Sequence, residues 1–274
     1  MVIAWSQGYS FNWGVGILST LAVVLIMLAT YYLGEYYDYE TDSLNVEYNR
    51  FSGGTRVLQA GLIPRRLVIL AAFFALVAAG LIGLIIQFYF KTGPFTIPLG
   101  AFGMVCGYFY TSKPIRWAYR GVGEILIGIC YGWLTVNTAY YLQAGAFELI
   151  PTLVSIPIGI SIFLVIFINE FPDYASDRAS GKNNLVVRLG RDRAGLLYAI
   201  LATICFLAIV LGVLGGVPRL AAFFSVIPLA LIVRNMLALK RRQYQGGQTL
   251  ERICETTLFL NLGTTCLYIL AFTL

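Results

Sequence analysis

Two short segments of this chain carry the same acidic pattern. Residues 34–42 read GEYYDYETD and residues 169–177 read NEFPDYASD, both x-E-x-x-D-Y-x-x-D, with matched positions 135 residues apart. Glu35, Asp38 and Asp42 fall at i, i+3 and i+7, one stripe of a helix, and Glu170, Asp173 and Asp177 repeat that stripe. Pro172 marks a point where the second helix could break. Carboxylates this close repel one another unless a cation lies between them. Hard oxygen donors suit Mg²⁺, which takes one or two carboxylates and completes its shell with phosphate oxygens. Two such stripes facing each other would hold Mg²⁺ bridged by a diphosphate. A single motif could equally cap a helix or pair with a nearby arginine; two matched copies make that reading weak.

The segments that follow fit a diphosphate. SGGTRVLQAGLIPRR (residues 52–66) follows the first motif and SGKNNLVVRLGRDR (residues 180–193) follows the second. Glycines let backbone N–H groups approach phosphate oxygens, and cations neutralise them. Arg56 and Lys182 are the expected phosphate ligands, while Arg65, Arg66, Arg191 and Arg193 are expected to set orientation and meet lipid headgroups. A third stretch, YFYTSKPIRWAYRGVGE (residues 108–124), places Lys113, Arg116 and Arg120 among Tyr108, Tyr110, Trp117 and Tyr119. It reads as a diphosphate grip beside an aromatic wall able to shield an allylic cation. An interfacial aromatic belt with positive-inside charge would account for part of the same pattern. Glu124 is a carboxylate entering an apolar run, where a charge is functional or paired.

The elements that position these residues follow from composition. Of 274 residues, 59% are hydrophobic and 12% charged, against about 45–50% and 25% in soluble domains. So few charges cannot cover a water-soluble surface, whereas eight spans of about 20 residues match the apolar content. Hydropathy places them near 12–34, 67–90, 95–112, 121–142, 149–170, 194–214, 219–238 and 252–273. The chain reads as an all-α polytopic membrane protein, one domain over 1–274, with four-helix pseudo-repeats at about 12–142 and 149–273. Residues 1–11 are too short to span and read as the tail of a further N-terminal helix. Sixteen of the nineteen Lys and Arg fall in the loops after the first, third, fifth and seventh spans, so that face is expected to be cytoplasmic in the cell membrane. Twelve of the thirteen acids share it; orientation explains the cations but not the acids, which suggest a polar site at the mouth of an apolar cavity. The cations follow topology and no nucleic-acid partner is expected. The chain has no histidine, which removes the usual general base, and its five cysteines are scattered singly.

The two acidic motifs, with NEFPDYASDRASGKNNLVVRLG in the second copy and YTSKPIRWAYRGVGE between the third and fourth spans, resemble those of the UbiA superfamily of intramembrane prenyltransferases. The resemblance implies nine helices around a central cavity, Mg²⁺, an isoprenyl diphosphate and a lipophilic acceptor. Eight visible spans plus one truncated helix would fit. It also implies Asn169 as a metal-side residue with Glu35, Asp38, Asp42, Asp173 and Asp177. Gly34 stands where the family's first motif usually has Asn, and Glu35 where it has Asp. The GKxxLVVRLG continuation is most similar to the menaquinone-type members that prenylate dihydroxynaphthoate.

The implied reaction ionises the prenyl C–O bond to an allylic cation, which an aromatic quinone-precursor ring then attacks. Asp38, Asp42, Asp173, Asp177, Lys113 and Tyr110 are the expected catalytic set; Arg56, Lys113, Arg116, Arg120 and Lys182 are expected on the diphosphate. The proton would go to a carboxylate, a tyrosine, the released diphosphate or water. A non-aromatic lipid or glycerol-phosphate acceptor is an alternative. A CDP-alcohol phosphotransferase would need Asp-Gly after the first acids, but Tyr39 follows Asp38 and Ser43 follows Asp42. An ion-coupled transporter would place its carboxylates near mid-membrane, not at helix ends.

Overall fold

Helices account for every regular element of the computed structural model, which describes residues 1–45, 48–245 and 247–274; Glu47, one of the acids assigned above to the charged face, lies outside them. The main helices are α1 (Trp13–Tyr37), α2 (Arg65–Tyr89), α3 (Thr96–Phe109), α4 (Gly123–Ala144), α5 (Leu149–Ala179), α6 (Arg191–Leu214), α7 (Leu220–Lys240) and α8 (Gly247–Thr273). All but α3 are long and apolar enough to cross a bilayer. α3 has 14 residues, about 21 Å at 1.5 Å per residue, against a hydrocarbon core of about 30 Å. The third helix is therefore shorter than the span expected over 95–112, and among the described residues seven helices meet the length and composition of a span. Large apolar side chains such as Phe74 and Leu214 lie on the outside, 75% and 85% exposed, as a lipid-facing surface requires.

α5 is the central helix, packed against α4, α6 and α8, while α1 lies along α2 and α7 against α6 and α8. Its inner face supplies Leu164, Phe167, Ile168 and Phe171, all fully buried, to a core shared with Tyr198, Ile232 and Leu260. α4 approaches α5 through glycine: a Cβ on Gly132 would lie 2.5 Å from Gly159 Cα, so the two backbones touch. The short helix Val2–Ser6 buries Ile3 and Ala4 against Tyr140, Leu267 and Tyr268.

The loops after α1, α3 and α5 meet at one end. Asn45 reaches Asp173, Tyr119 reaches Asp38, and the Asn183 N–H donates to the Tyr119 carbonyl at 3.1 Å. The N-terminal segment and the loops after α2 and α4 meet at the other, where Tyr9 Oη donates to Glu148 at 3.3 Å and the Phe95 N–H to Tyr141 Oη at 3.2 Å.

Pro172 does not break α5, which runs on to Ala179. The missing proline N–H leaves the Ile168 carbonyl without its helical donor, and Cys254 Sγ donates to it at 3.7 Å. The break falls in the other copy. α1 ends at Tyr37, Asp38 sits at the junction with φ −93° and ψ 3°, and a short helix continues as Tyr39–Leu44.

Candidate active site

The two acidic motifs meet at the loop-rich end, linked through side chains of the adjoining loops. Tyr119 Oη donates to Asp38 Oδ1 at 2.7 Å, and Asn45 Nδ2 to Asp173 Oδ1 at 2.5 Å. Asp177 is buried, accepting from Asn184 Nδ2 at 2.7 Å and pairing with Lys182 Nζ at 3.5 Å. Asn184 also caps the short helix Leu185–Leu189, its Oδ1 accepting from the Val187 N–H at 2.9 Å, so one side chain starts the helix and holds the carboxylate. Glu35 accepts from the Thr55 N–H at 2.8 Å, which draws the glycine loop over the first motif. Gly54, at φ 69°, lies so close that a Cβ would overlap Asp42 Oδ2.

Lys182 is the central cation. Burial alone would lower its pKa, but the carboxylates of Asp177, Asp38, Asp173 and Glu170 outweigh that and hold it well above the ordinary lysine value. Asp42 is pushed up to about 7, first by burial, then by the neighbouring Asp38 carboxylate, against the pull of Lys182. Burial also raises Asp38, opposed by Lys182, by its bond from Tyr119 and by Arg116. Arg116 lies over the Tyr119 ring at 3.4 Å and approaches Asp38 at 4.0 Å.

Not every expected residue joins this cluster. Lys113 is exposed and makes no hydrogen bond or ion pair with the described residues. The reason is the turn around it: Arg116, at φ 51°, donates its N–H to the Ser112 carbonyl and Ala118 to that of Tyr110, so Arg116 and Tyr119 turn inward while Lys113 and Pro114 stay outside. Arg120 is exposed, with Nη2 on the Pro114 carbonyl at 3.2 Å. Arg56 binds main chain, donating to the carbonyls of Asp42 at 2.7 Å and Asn45 at 2.6 Å beneath the Tyr48 ring. Glu124 is fully buried and accepts from the Leu185 N–H at 2.7 Å, anchoring the loop that carries Lys182.

Other residues contribute that sequence reasoning assigned elsewhere or missed. Arg65 donates to the Tyr36 carbonyl at 2.9 Å and lies over the Tyr39 ring at 4.6 Å. Arg191 donates to the Phe171 carbonyl at 3.0 Å and lies over Tyr174 at 5.2 Å. Tyr36 and Phe171, and Tyr39 and Tyr174, are matched positions of the two motifs, so an arginine opening the next span makes the same pair of contacts in each copy. Sequence alone assigns both arginines to orientation and lipid headgroups. Their place at the start of the span after each motif was the available signal. Asn45 and Asn184 carried none beyond being short polar side chains near turns.

An apolar cavity of about 280 Å³ lies between α1, α3 and α4, from Thr30, Gly107 and Tyr110 at the acidic end to Ser19 and Leu142 at the other. Tyr110 is the junction: it lines the cavity and lies in the field of Glu170, Lys182, Glu124 and Asp38.

No three described acidic side chains are arranged to ligate one ion; the Lys182 ammonium stands among them instead. The donor set still fits Mg²⁺ with a diphosphate, which needs only one or two carboxylates from the protein. Glu35 Oε2 and Asn169 Oδ1 are buried without a partner, oxygen donors left over by the protein's own bonding.

A profile described as the UbiA prenyltransferase family matches residues 1–263. A 1,4-dihydroxy-2-naphthoate octaprenyltransferase of Bacillus subtilis (strain 168) is 28% identical over 206 residues, covering 74% of this chain and 64% of that protein. The enzyme of the same name from Mycobacterium tuberculosis (strain ATCC 25618 / H37Rv) is 27% identical over 249 residues, 89% of this chain and 80% of its own length. Among solved structures, the apo form of a UbiA homolog from Aeropyrum pernix K1 superposes with a TM-score of 0.73 at 16% identity, over 97% of this chain and 94% of that one. A UbiA homolog from Archaeoglobus fulgidus bound to GPP and Mg²⁺ gives 0.63 at 15% identity, over 97% and 93%. The chain spans under two thirds of the Bacillus subtilis protein's length, but the family profile covers nearly all of the chain, which belongs to the UbiA prenyltransferase family.

Proposed function

We propose that the protein is an intramembrane prenyltransferase, moving an isoprenyl group from a prenyl diphosphate to an aromatic acceptor of the dihydroxynaphthoate type, with its site open to the cytoplasm. One observation carries the reading: a cluster of carboxylates with Lys182 and Arg116 meets an apolar cavity at Tyr110. A substrate with an anionic head and an isoprenoid tail needs both halves together. Support also comes from the relatives, whose names specify octaprenyl transfer to 1,4-dihydroxy-2-naphthoate, and from a structural neighbour bound to GPP and Mg²⁺.

Asp38, Asp42, Asp173 and Asp177, with Glu35 and Asn169 beside them, would hold Mg²⁺, which when bound supplies positive charge to the departing diphosphate. Lys182 and Arg116 add charge on the same side, preorganised by Asp177 and Tyr119. The prenyl C–O bond breaks and its electron pair leaves with the diphosphate. The allylic cation left behind faces Tyr110 and the mainly apolar cavity wall. An acceptor ring carbon donates its electron pair to form the new C–C bond, and the ring loses a proton or, from a carboxylated acceptor, CO₂. Arg56 and Glu124 act as positioning residues through the loops they hold.

The test is mass spectrometry of products formed by purified protein with Mg²⁺, a panel of prenyl diphosphates and several aromatic acceptors. A prenylated naphthoate product is expected. No prenylated product from any pair overturns the reading.

A further inference from the structure

A second cationic feature lies away from the acidic cluster. α7 and α8 border a groove of about 830 Å³ whose walls carry Arg234, Arg241 and Arg252 and no acid. Arg234 lies six residues before the end of α7, about 9 Å into the helix, and Arg252 five residues after the start of α8, about 8 Å in. The two stand at similar depth on opposite walls, with Arg241 at the mouth. All three are exposed, and none forms an ion pair with a described residue. The neighbouring acids are committed elsewhere: Glu251 pairs with Arg50, Asp192 with Arg242 and Tyr244, and Glu255 faces Arg50.

A buried polar staple joins the two walls of the groove. Thr256 Oγ1 donates to Asn235 Oδ1 at 2.6 Å, and Asn235 Nδ2 donates to Tyr198 Oη at 3.0 Å and Thr257 Oγ1 at 3.1 Å. Asn235 and Thr256 also line the groove, so these bonds fix its two walls to each other and to α6. Val233, Leu237 and Ile253 make the remaining wall apolar.

We propose that this groove binds the headgroup of an anionic phospholipid, its phosphate between Arg234 and Arg252 and its acyl chains along the apolar wall. Charge complementarity selects the occupant. Three exposed guanidiniums without an ion pair to a described residue, gathered near one end of the bundle, call for an anion, and forked donors match phosphate oxygens. A free inorganic phosphate would satisfy the arginines but leave the apolar wall uncovered. Bound there, the lipid would tie α7 to α8 at the end of the bundle where the acidic motifs lie.

The experiment is lipid titration of purified, delipidated protein followed by native mass spectrometry. The probes are dioleoylphosphatidylglycerol, dioleoylphosphatidylcholine and, as competitor, inorganic phosphate. Phosphatidylglycerol is expected to bind at least about tenfold more tightly than phosphatidylcholine. Each arginine contributes about fivefold, so Arg234→Gln with Arg252→Gln should weaken phosphatidylglycerol about 25-fold, and Arg241→Gln, outside both helices, about fivefold. Arg219→Gln, at the opposite end of the bundle, should change nothing. Equal phosphatidylglycerol affinity in Arg241→Gln and wild type overturns the proposal. So does inorganic phosphate displacing the lipid at equal concentration, or a dimer that excludes both lipids from the wild-type groove.

Discussion

Lys182 and Lys113 look alike as residues in a sequence, each a lysine near a motif, yet only Lys182 enters the carboxylate cluster. It gains its place from a loop tied down by Asn183 to Tyr119 and by Leu185 to Glu124. A charge-assisted contact to diphosphate is worth about 1.5–3 kcal/mol. Lys182→Ala should therefore weaken donor binding about ten- to a hundredfold and destabilise the metal-free fold, because buried carboxylates lose their counter-ion. Lys113→Ala should change donor affinity less than twofold. Donor titration of both variants checks this; a larger loss in Lys113→Ala would reverse the roles. Asp42 sets a pH dependence. With its folded pKa raised from 3.8 to about 7, its contribution to stability is fully present below about pH 4 and lost as pH rises through 7. The melting temperature of metal-free protein should fall between pH 5 and pH 8. Mg²⁺, which needs the ionised carboxylate, should recover more of it at pH 8 than at pH 5. A melting temperature that rises over that interval contradicts the assignment.

Helices and loops decide how much of the site could be read in advance. The two acidic stripes were legible because their spacing is local, and the spans because apolar runs are long. Where the helix breaks was not. Pro172 looked like the interruption, yet Cys254, 82 residues later, catches the carbonyl it leaves unpaired, while Asp38 ends α1 without any breaker residue. Arg65 and Arg191 were read as headgroup charges because contacts to backbone carbonyls leave no mark in residue type. That Lys113 stands outside the cluster could not be read in advance, because the direction of a loop side chain depends on one left-handed turn at Arg116. α3 looked like a full span because hydropathy does not distinguish a helix from the apolar loop that extends it. The glycine loop after the first motif yields a test at this scale. Gly54→Ala puts a methyl group against Asp42 at a φ of 69° that L-residues resist, so donor turnover should drop at least tenfold. Gly61→Ala, at φ 68° with open space around it, should cost stability but little activity. Equal loss of activity in the two would mean that backbone strain, not the approach to Asp42, is what matters.

At the scale of the whole molecule, charge separates the two ends. By sequence, sixteen of the nineteen cations and twelve of the thirteen acids are assigned to one face, and in the structure contacts among the loops after α1, α3 and α5 bring the motifs together at one end. We infer that this end faces the cytoplasm, from the positive-inside bias. In a cysteine-free background and sealed cells, an impermeant thiol reagent should label Lys91→Cys and spare a cysteine at position 120. The opposite pattern would invert the molecule. The central claim, that the paired motifs bind a prenyl diphosphate through Mg²⁺, is tested most directly by equilibrium binding of a labelled prenyl diphosphate to purified protein. Binding is expected with Mg²⁺ and absent with EDTA in the wild type. Asp38→Asn and Asp173→Asn should each lose the Mg²⁺-dependent part while keeping a cooperative thermal transition. Undiminished binding in EDTA, or in either folded variant, would contradict it.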